Sequence, residues 1–136
     1  MLVYAPALAP DVRETLAGPA LRFSDELVSL EVVARECDLF VSHGAHTSVA
    51  HTLLGGVPQL LLPRLEEQLF TARCVRKLGA GCIVDPAEAS HRASIEALFE
   101  ESRYRDAARR FAERHRSFDP ANSRAEIADK LTRLLP

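Results

Sequence analysis

With 136 residues the chain is long enough for one ordinary domain with a core and too short for two. Apolar residues make up 47% of it and charged residues 26%, a balance that excludes a disordered tail. The formal net charge of −2 creates no overall attraction for nucleic acid or for an anionic membrane, so we expect neither as a partner.

The apolar opening, residues 1–9, has no basic segment before it, and prolines at 6 and 10 interrupt it. We therefore expect neither a signal peptide nor a membrane span. We expect the protein to be cytoplasmic. Cys37, Cys74 and Cys82 share no metal-binding spacing and lie within apolar runs, which predicts three buried free thiols.

Short apolar runs alternate with segments of helical period along the first 85 residues. The predicted strands are 2–5, 21–23, 39–42, 59–62 and 82–84, and the predicted helices between them are 11–16, 30–37, 47–54 and 67–78. Gly55, Gly56 and Gly79 supply stops for the last two of these helices. The pattern predicts an α/β fold with a Rossmann-like parallel sheet of about five strands and helices on both faces.

The character of the sequence changes after Asp85-Pro86. Three helices, 89–101, 104–118 and 121–135, follow one another with no strand between them. We therefore predict a single domain over 1–136, with a sheet region at 1–85 and a C-terminal helical tail at 86–136.

The turn 43–45 joins the third predicted strand to a helix that begins near residue 46 or 47. The first amides of a helix have no internal partner and the helix dipole is positive there, so a phosphate is well accommodated. Gly44 lets the backbone approach a ligand closely, and the carboxyl ends of parallel strands are where ligands gather.

Side chains that can donate hydrogen bonds flank this turn. Thr47 and Ser48 carry hydroxyls, and His43 can donate a ring N–H to a phosphate oxygen. Because many turns between a strand and a helix contain glycine and serine and bind nothing, these residues alone favour a site and an empty turn equally.

Linked motifs extend from this turn as far as residue 81, reading HGAHTS at 43–48, GVPQ at 56–59, Pro63, EQ at 67–68, Ala72 and LGAG at 78–81. In this register the chain resembles the C-terminal, nucleotide-sugar donor-binding domain of family 1, UDP-glycosyltransferase-like GT-B glycosyltransferases, apparently truncated. The resemblance implies half of a GT-B fold and a transferase, in the hexosyltransferase class.

The resemblance also implies roles for individual residues. His43, Thr47 and Ser48 would hold the diphosphate beside Gly44 and Ala45. Glu67 and Gln68 would hold the sugar, since a carboxylate and an amide together accept and donate hydrogen bonds to adjacent hydroxyls. The alternative for Glu67 and Gln68 is an exposed pair that caps the helix they begin.

Three positions depart from the family pattern. Ala45 stands where a second glycine is usual, Thr47 where bacterial members often have glycine, and His51 where a ribose-binding glutamate is common. Residues 27–30 align loosely with the loop that binds the base, without its aromatic residue. His43, His46 and His51 do not suggest a metal site, because the last two are five residues apart and point in different directions along a helix.

The implied activity is inverting transfer from a nucleotide diphosphate sugar, the co-substrate, to an acceptor hydroxyl, with no other cofactor. The general base is expected in an N-terminal acceptor domain, so we expect no catalytic residue in this chain and no activity from it alone. The expected partners are the nucleotide sugar and either an acceptor-domain partner or a second copy in a homodimer.

The resemblance further implies that a central strand of the domain is missing here. We expect the remaining strands to close up, or another chain to fill the gap. Two alternatives remain for the function: a degenerate, non-catalytic nucleotide-binding or interaction module of the same fold, favoured by Ala45 and His51, and an epimerase of GT-B architecture.

Overall fold

The computed structural model describes residues 1–87 and 90–134. Strands and helices alternate through the first part of the chain, and helices alone follow. In chain order the elements are β1 (Leu2–Tyr4), α1 (Pro10–Leu16), β2 (Arg22–Ser24), α2 (Leu30–Glu36), β3 (Phe40–Ser42), α3 (His46–Leu54), β4 (Gln59–Leu61), α4 (Glu66–Leu78), β5 (Gly81–Ile83), α5 (Arg92–Glu100), α6 (Ser102–Arg114) and α7 (Pro120–Leu134).

The predicted α/β class and helical tail are confirmed, with shifted boundaries. The largest shift is at α6, which ends at Arg114 rather than at residue 118, because the His115 N–H bonds back to Phe111 and Ala112 and a turn follows. The tail helix predicted to begin at residue 89 begins at Arg92, and residue 89 itself lies outside the described residues.

The five strands form two parallel sheets instead of one. β1 pairs with β2 in the first sheet, and the second has the order β3-β4-β5. The expectation that the strands close up is therefore wrong, and the alternative, that another chain fills the gap, stays a prediction. Helix packing, not strand pairing, joins the two parts: α2 lies on α3 so closely that a Cβ added at Gly55 would be 2.5 Å from the Cβ of Ala34.

The core surrounds β4, whose neighbouring side chains point to opposite faces of the sheet. Leu61 packs with Val49, Val75 and Ala108 under α3, α4 and α6, while Leu60 packs with residues of β5 and α5 on the other face. No residue before Gly44 is fully buried. The β3-β4-β5 part therefore contains the core, and the β1-β2 part is attached to it.

The prediction of three buried thiols is wrong. Cys37 and Cys74 are exposed and Cys82 is half-buried. Cys74 lies on α4 between Ala72 and Val75, which face the core, so helical geometry turns Cys74 outward. In the part of the chain that the structure describes, no helix is both long and apolar enough to cross a bilayer.

Replacing Gly55 by alanine tests the contact that joins the two parts. The added methyl would overlap Ala34, so we expect Gly55→Ala to lower the free energy of unfolding by about 1–3 kcal/mol. Gly18→Ala is the matched control, because a Cβ there meets nothing within 4 Å. Urea unfolding of both variants checks this, and equal stabilities would show that α2 and α3 separate easily.

Candidate functional site

The turn 43–45 has a conformation that its sequence dictates. Gly44 has a positive φ of 91°, a region that side chains disfavour, and its N–H donates to the Ser42 Oγ at 3.1 Å. Gly44 is also buried. The end of β3 therefore turns sharply into α3 with the backbone of the turn fixed by the Ser42 hydroxyl.

The first turn of α3 is not capped by a side chain. Its N-cap residue is Ala45, which has no polar side-chain atom, and the first bond within the helix runs from the Val49 N–H to the Ala45 carbonyl at 3.0 Å. The N–H groups of residues 46–48 are thus directed beyond the helix end, where the helix dipole favours an anion.

The predicted donors surround this helix end. His43 and Thr47 are exposed, while Ser48 and His51 are half-buried. His51 follows Thr47 by four residues and Ser48 by three, so these three side chains share one face of α3. Ala45, at the junction between the turn and the helix, is half-buried.

The first turn of α4 lies against the turn 43–45. A Cβ built on Gly44 would be 3.2 Å from the Gln68 carbonyl oxygen and 3.7 Å from the Gln68 Cβ. The structure therefore brings two of the predicted site residues, Gly44 and Gln68, into direct proximity. Glu67 belongs to the same helical turn and is exposed.

Gln68 has a structural task of its own. Its side-chain oxygen accepts the N–H groups of Arg64 at 2.9 Å and of Leu65 at 3.3 Å. This is half of a capping box, because Leu65 has no polar atom to return the bond. The alternative that Glu67 and Gln68 are an exposed capping pair is therefore only partly correct. Gln68 caps α4 but is buried, whereas Glu67 is exposed.

Gln59 supports α3 from below, a role that the sequence motifs did not predict. Gln59 is fully buried, and its Nε2 donates to the Val49 carbonyl at 3.0 Å and to the Thr52 Oγ at 2.8 Å. The sequence feature that could have indicated this role is a glutamine at the start of an otherwise apolar strand. These bonds hold α3 at a fixed height above β4, and with it the start of the helix.

This arrangement suits the binding of an anion with hydroxyl groups attached. The free backbone amides and the hydroxyls at the start of α3 lie next to the turn at Gly44, which is buried. The amide nitrogen of Gln68 donates to no atom in the described ranges. Across residues 1–87 and 90–134 no group of three or more histidine, cysteine or acidic side chains is placed to hold a metal ion.

The known proteins that this chain is similar to are glycosyltransferases. The family model for the erythromycin biosynthesis protein CIII-like, C-terminal domain, matches residues 9–134. The NDP-glycosyltransferase YjiC of Bacillus licheniformis is 26% identical over 103 residues, which cover 76% of this chain and 26% of that protein. The chain spans about a quarter or less of the length of the curated relatives it matches.

Solved structures agree with this assignment. The calicheamicin glycosyltransferase CalG4 superposes with a TM-score of 0.78 at 27% identity, over 96% of this chain and 34% of that one. The spinosyn rhamnosyltransferase SpnG, complexed with thymidine diphosphate, gives a TM-score of 0.65 at 26% identity, over 82% of this chain and 30% of that one. The fold is thus that of a GT-B C-terminal domain.

The capping role of Gln68 can be separated from any other role. Gln68→Met removes the acceptor for two backbone amides, and we expect it to lower the free energy of unfolding by about 1 kcal/mol. Gln68→Glu keeps an acceptor oxygen and places a carboxylate in the first helical turn, so its stability should match the parent. Denaturant titration at neutral pH measures both, and an equal loss in both variants would argue against capping.

Proposed function

Since the chain belongs to the glycosyltransferase family of erythromycin biosynthesis protein CIII-like C-terminal domains, we propose that it binds the donor of a glycosyl transfer, a nucleotide diphosphate sugar. The observation that carries the proposal is the start of α3. There an uncapped helix end follows a buried glycine turn and lies beside Gln68.

The diphosphate binds at this helix end. The amides of residues 46–48 and the helix dipole attract its oxygens, and Thr47, Ser48 and His43 add side-chain donors. Gly44 and Ala45 bring the backbone close to the phosphates. Ser48 is half-buried, so its hydroxyl loses little water when the ligand arrives, while the exposed Thr47 and His43 close around the ligand from solvent.

The sugar is held by Glu67 and Gln68. Two backbone amides fix the side-chain oxygen of Gln68, and because an amide group is planar, this also fixes its nitrogen. Gln68 therefore offers a donor that is oriented before the ligand binds, which reduces the entropy lost on binding. Glu67 complements it with a carboxylate that accepts from sugar hydroxyls.

The nucleoside extends from the diphosphate along α3. His51 shares a face with Thr47 and Ser48, one turn further on, and its imidazole bonds a ribose hydroxyl. Leu27, in the loop after β2, is 79% exposed and offers an apolar surface to the base. A carboxylate can bond both ribose hydroxyls, whereas the imidazole of His51 makes one such bond. We therefore expect His51 to bind the ribose less tightly than a glutamate would.

Transfer itself needs a group that removes the proton from the acceptor hydroxyl. None of the side chains assigned above has that task, so we propose that an acceptor-binding part supplies it and that this chain alone binds the donor without transferring sugar. Inversion at the anomeric carbon follows if the acceptor attacks directly. No cofactor beyond the nucleotide sugar takes part.

A non-catalytic binding module is the second candidate, and Ala45 and His51 favour it. An extra methyl at residue 45 crowds the turn, and His51 weakens the ribose contact. The two candidates differ in sugar recognition. A transferase half distinguishes a nucleotide sugar from the bare diphosphate through Glu67 and Gln68, whereas a module that has lost transfer is indifferent to the sugar.

Calorimetric titration with thymidine diphosphate and with uridine diphosphate tests the diphosphate site. We expect binding to one or both, weakened about fivefold to twentyfold in Thr47→Val and in Ser48→Ala, because each change removes one hydrogen bond to a charged group. Thr15→Val is the matched control, since Thr15 bonds only within α1. No heat and no thermal shift with either nucleotide would refute the donor site.

The sugar contact is tested with Gln68→Glu, which retains the capping oxygen and loses the amide donor. We expect it to weaken binding of thymidine diphosphate glucose about fivefold or more relative to thymidine diphosphate, because both ligands share any repulsion between the new carboxylate and the diphosphate. Calorimetry with both ligands gives the ratio. An unchanged ratio would favour the non-catalytic module, and loss of both ligands would mean that the variant disturbs the turn.

A further inference from the structure

A cleft with a volume of about 370 Å³ lies away from the turn 43–45. Its walls are β5, the C-terminal end of α4 and one face of α6. The residues proposed to bind the donor do not line it. Its volume falls within the range typical of ligand sites in proteins.

One wall of the cleft is the edge of a sheet, where Gly81 is buried and Ile83 is half-buried. Within β3-β4-β5, β5 is an edge strand. The Ala80 carbonyl accepts from β4 and the Val84 N–H donates to β4, each at 3.0 Å. Because alternate residues of a strand face opposite neighbours, Gly81 and Ile83 direct their N–H and C=O groups away from β4. Both residues line the cleft, and none of these four groups has a partner among the described residues.

The other walls carry three arginines. Arg103 is oriented by the Glu101 carboxylate and by the Tyr104 hydroxyl at 2.9 Å, and its guanidinium lies 4.5 Å from the centre of the Tyr104 ring. The bond to Glu101 raises the pKa of Arg103, which therefore stays charged. Arg76 and Arg110 are exposed, and neither forms an ion pair with a residue that the structure describes.

This concentration of positive charge is local, because the chain as a whole has a formal net charge of −2. Glu101 offsets the charge of Arg103, but no carboxylate of the described residues pairs with Arg76 or Arg110, so these two attract an acidic ligand to the cleft. A small anion would satisfy the arginines and leave the edge of β5 unpaired. An extended peptide satisfies both, since its main chain can bond Gly81 and Ile83 while its carboxylates reach Arg76 and Arg110.

We propose that this cleft binds a short acidic peptide segment of a partner protein, in extended conformation, which adds as a strand to the edge of β5. Tyr104, which packs against the core and carries the Arg103 guanidinium over its ring, holds that arginine in the wall of the cleft. This cleft is separate from the proposed donor site. A failure of the peptide to bind therefore says nothing about nucleotide binding, and a failure of the nucleotide to bind says nothing about the peptide.

The probe is the peptide acetyl-Glu-Val-Glu-Val-Glu amide, titrated into the 136-residue chain. We expect saturable binding below about 1 mM, with shifts of the Gly81 and Ile83 amide resonances and slower exchange of their hydrogens with solvent. Arg76→Gln and Arg110→Gln should each weaken it about fivefold. Arg73→Gln, an exposed position on α4 outside the cleft, is the matched control and should change it less than twofold.

Two further probes distinguish strand addition from simple attraction of charge. The same peptide with N-methyl groups on alternate amides keeps its carboxylates but cannot pair with an edge, and it should not bind detectably. If the N-methylated peptide binds as well as the parent peptide, strand addition is wrong. The same holds if N-acetylglutamate, which has no extended main chain, binds as well as the parent peptide. Equal binding of the lysine counterpart, no binding of the acidic peptide, or resonance shifts confined to residues outside the cleft would each overturn the proposal.

Discussion

The close approach of the turn 43–45 to the first turn of α4 is the constraint on which the rest of the candidate site depends. There is no room for a side chain at residue 44, where a Cβ would lie 3.2 Å from the Gln68 carbonyl oxygen and the φ is positive. Glycine satisfies both requirements. This contact places the start of α3, where we propose that phosphate binds, beside the start of α4, where we propose that the sugar binds, although separate motifs encode the two helices.

Polar side chains inside the protein hold these two helix ends in place. Gln59 fastens α3 to β4 from below, and Gln68 closes the start of α4. Both glutamines are buried, and the bonds that they form are to backbone groups or to Thr52, while the Gln59 Oε1 has no partner among the described residues. A donor site built on such supports is organised before a ligand arrives, so little binding energy is lost in ordering it. In the proposed site Gln68 would combine support with recognition, because its oxygen accepts from the backbone and its nitrogen is left for a ligand.

Much of the fold follows from the sequence, because local patterns determine it. Alternating apolar runs and helical periods located every strand and helix to within a few residues, and Gly79 ended α4 in the left-handed conformation expected of it. The packing of Ala34 on Gly55, which joins the two sheets, is a contact between distant residues, and the exposure of Cys74 depends on the direction of one helix face. Capping by Gln68 and support by Gln59 depend on contacts between distant segments, which a local pattern does not encode.

The uneven distribution of buried residues has a consequence for dynamics. No residue before Gly44 is fully buried, whereas the core around β4 includes side chains from α3, α4, α5 and α6. Segments with few buried contacts open locally at low free-energy cost, so we expect the β1-α1-β2 part to open as a unit and its amide hydrogens to exchange rapidly with solvent. The nucleoside end of a bound donor would then rest on a fluctuating surface and its diphosphate on a rigid one.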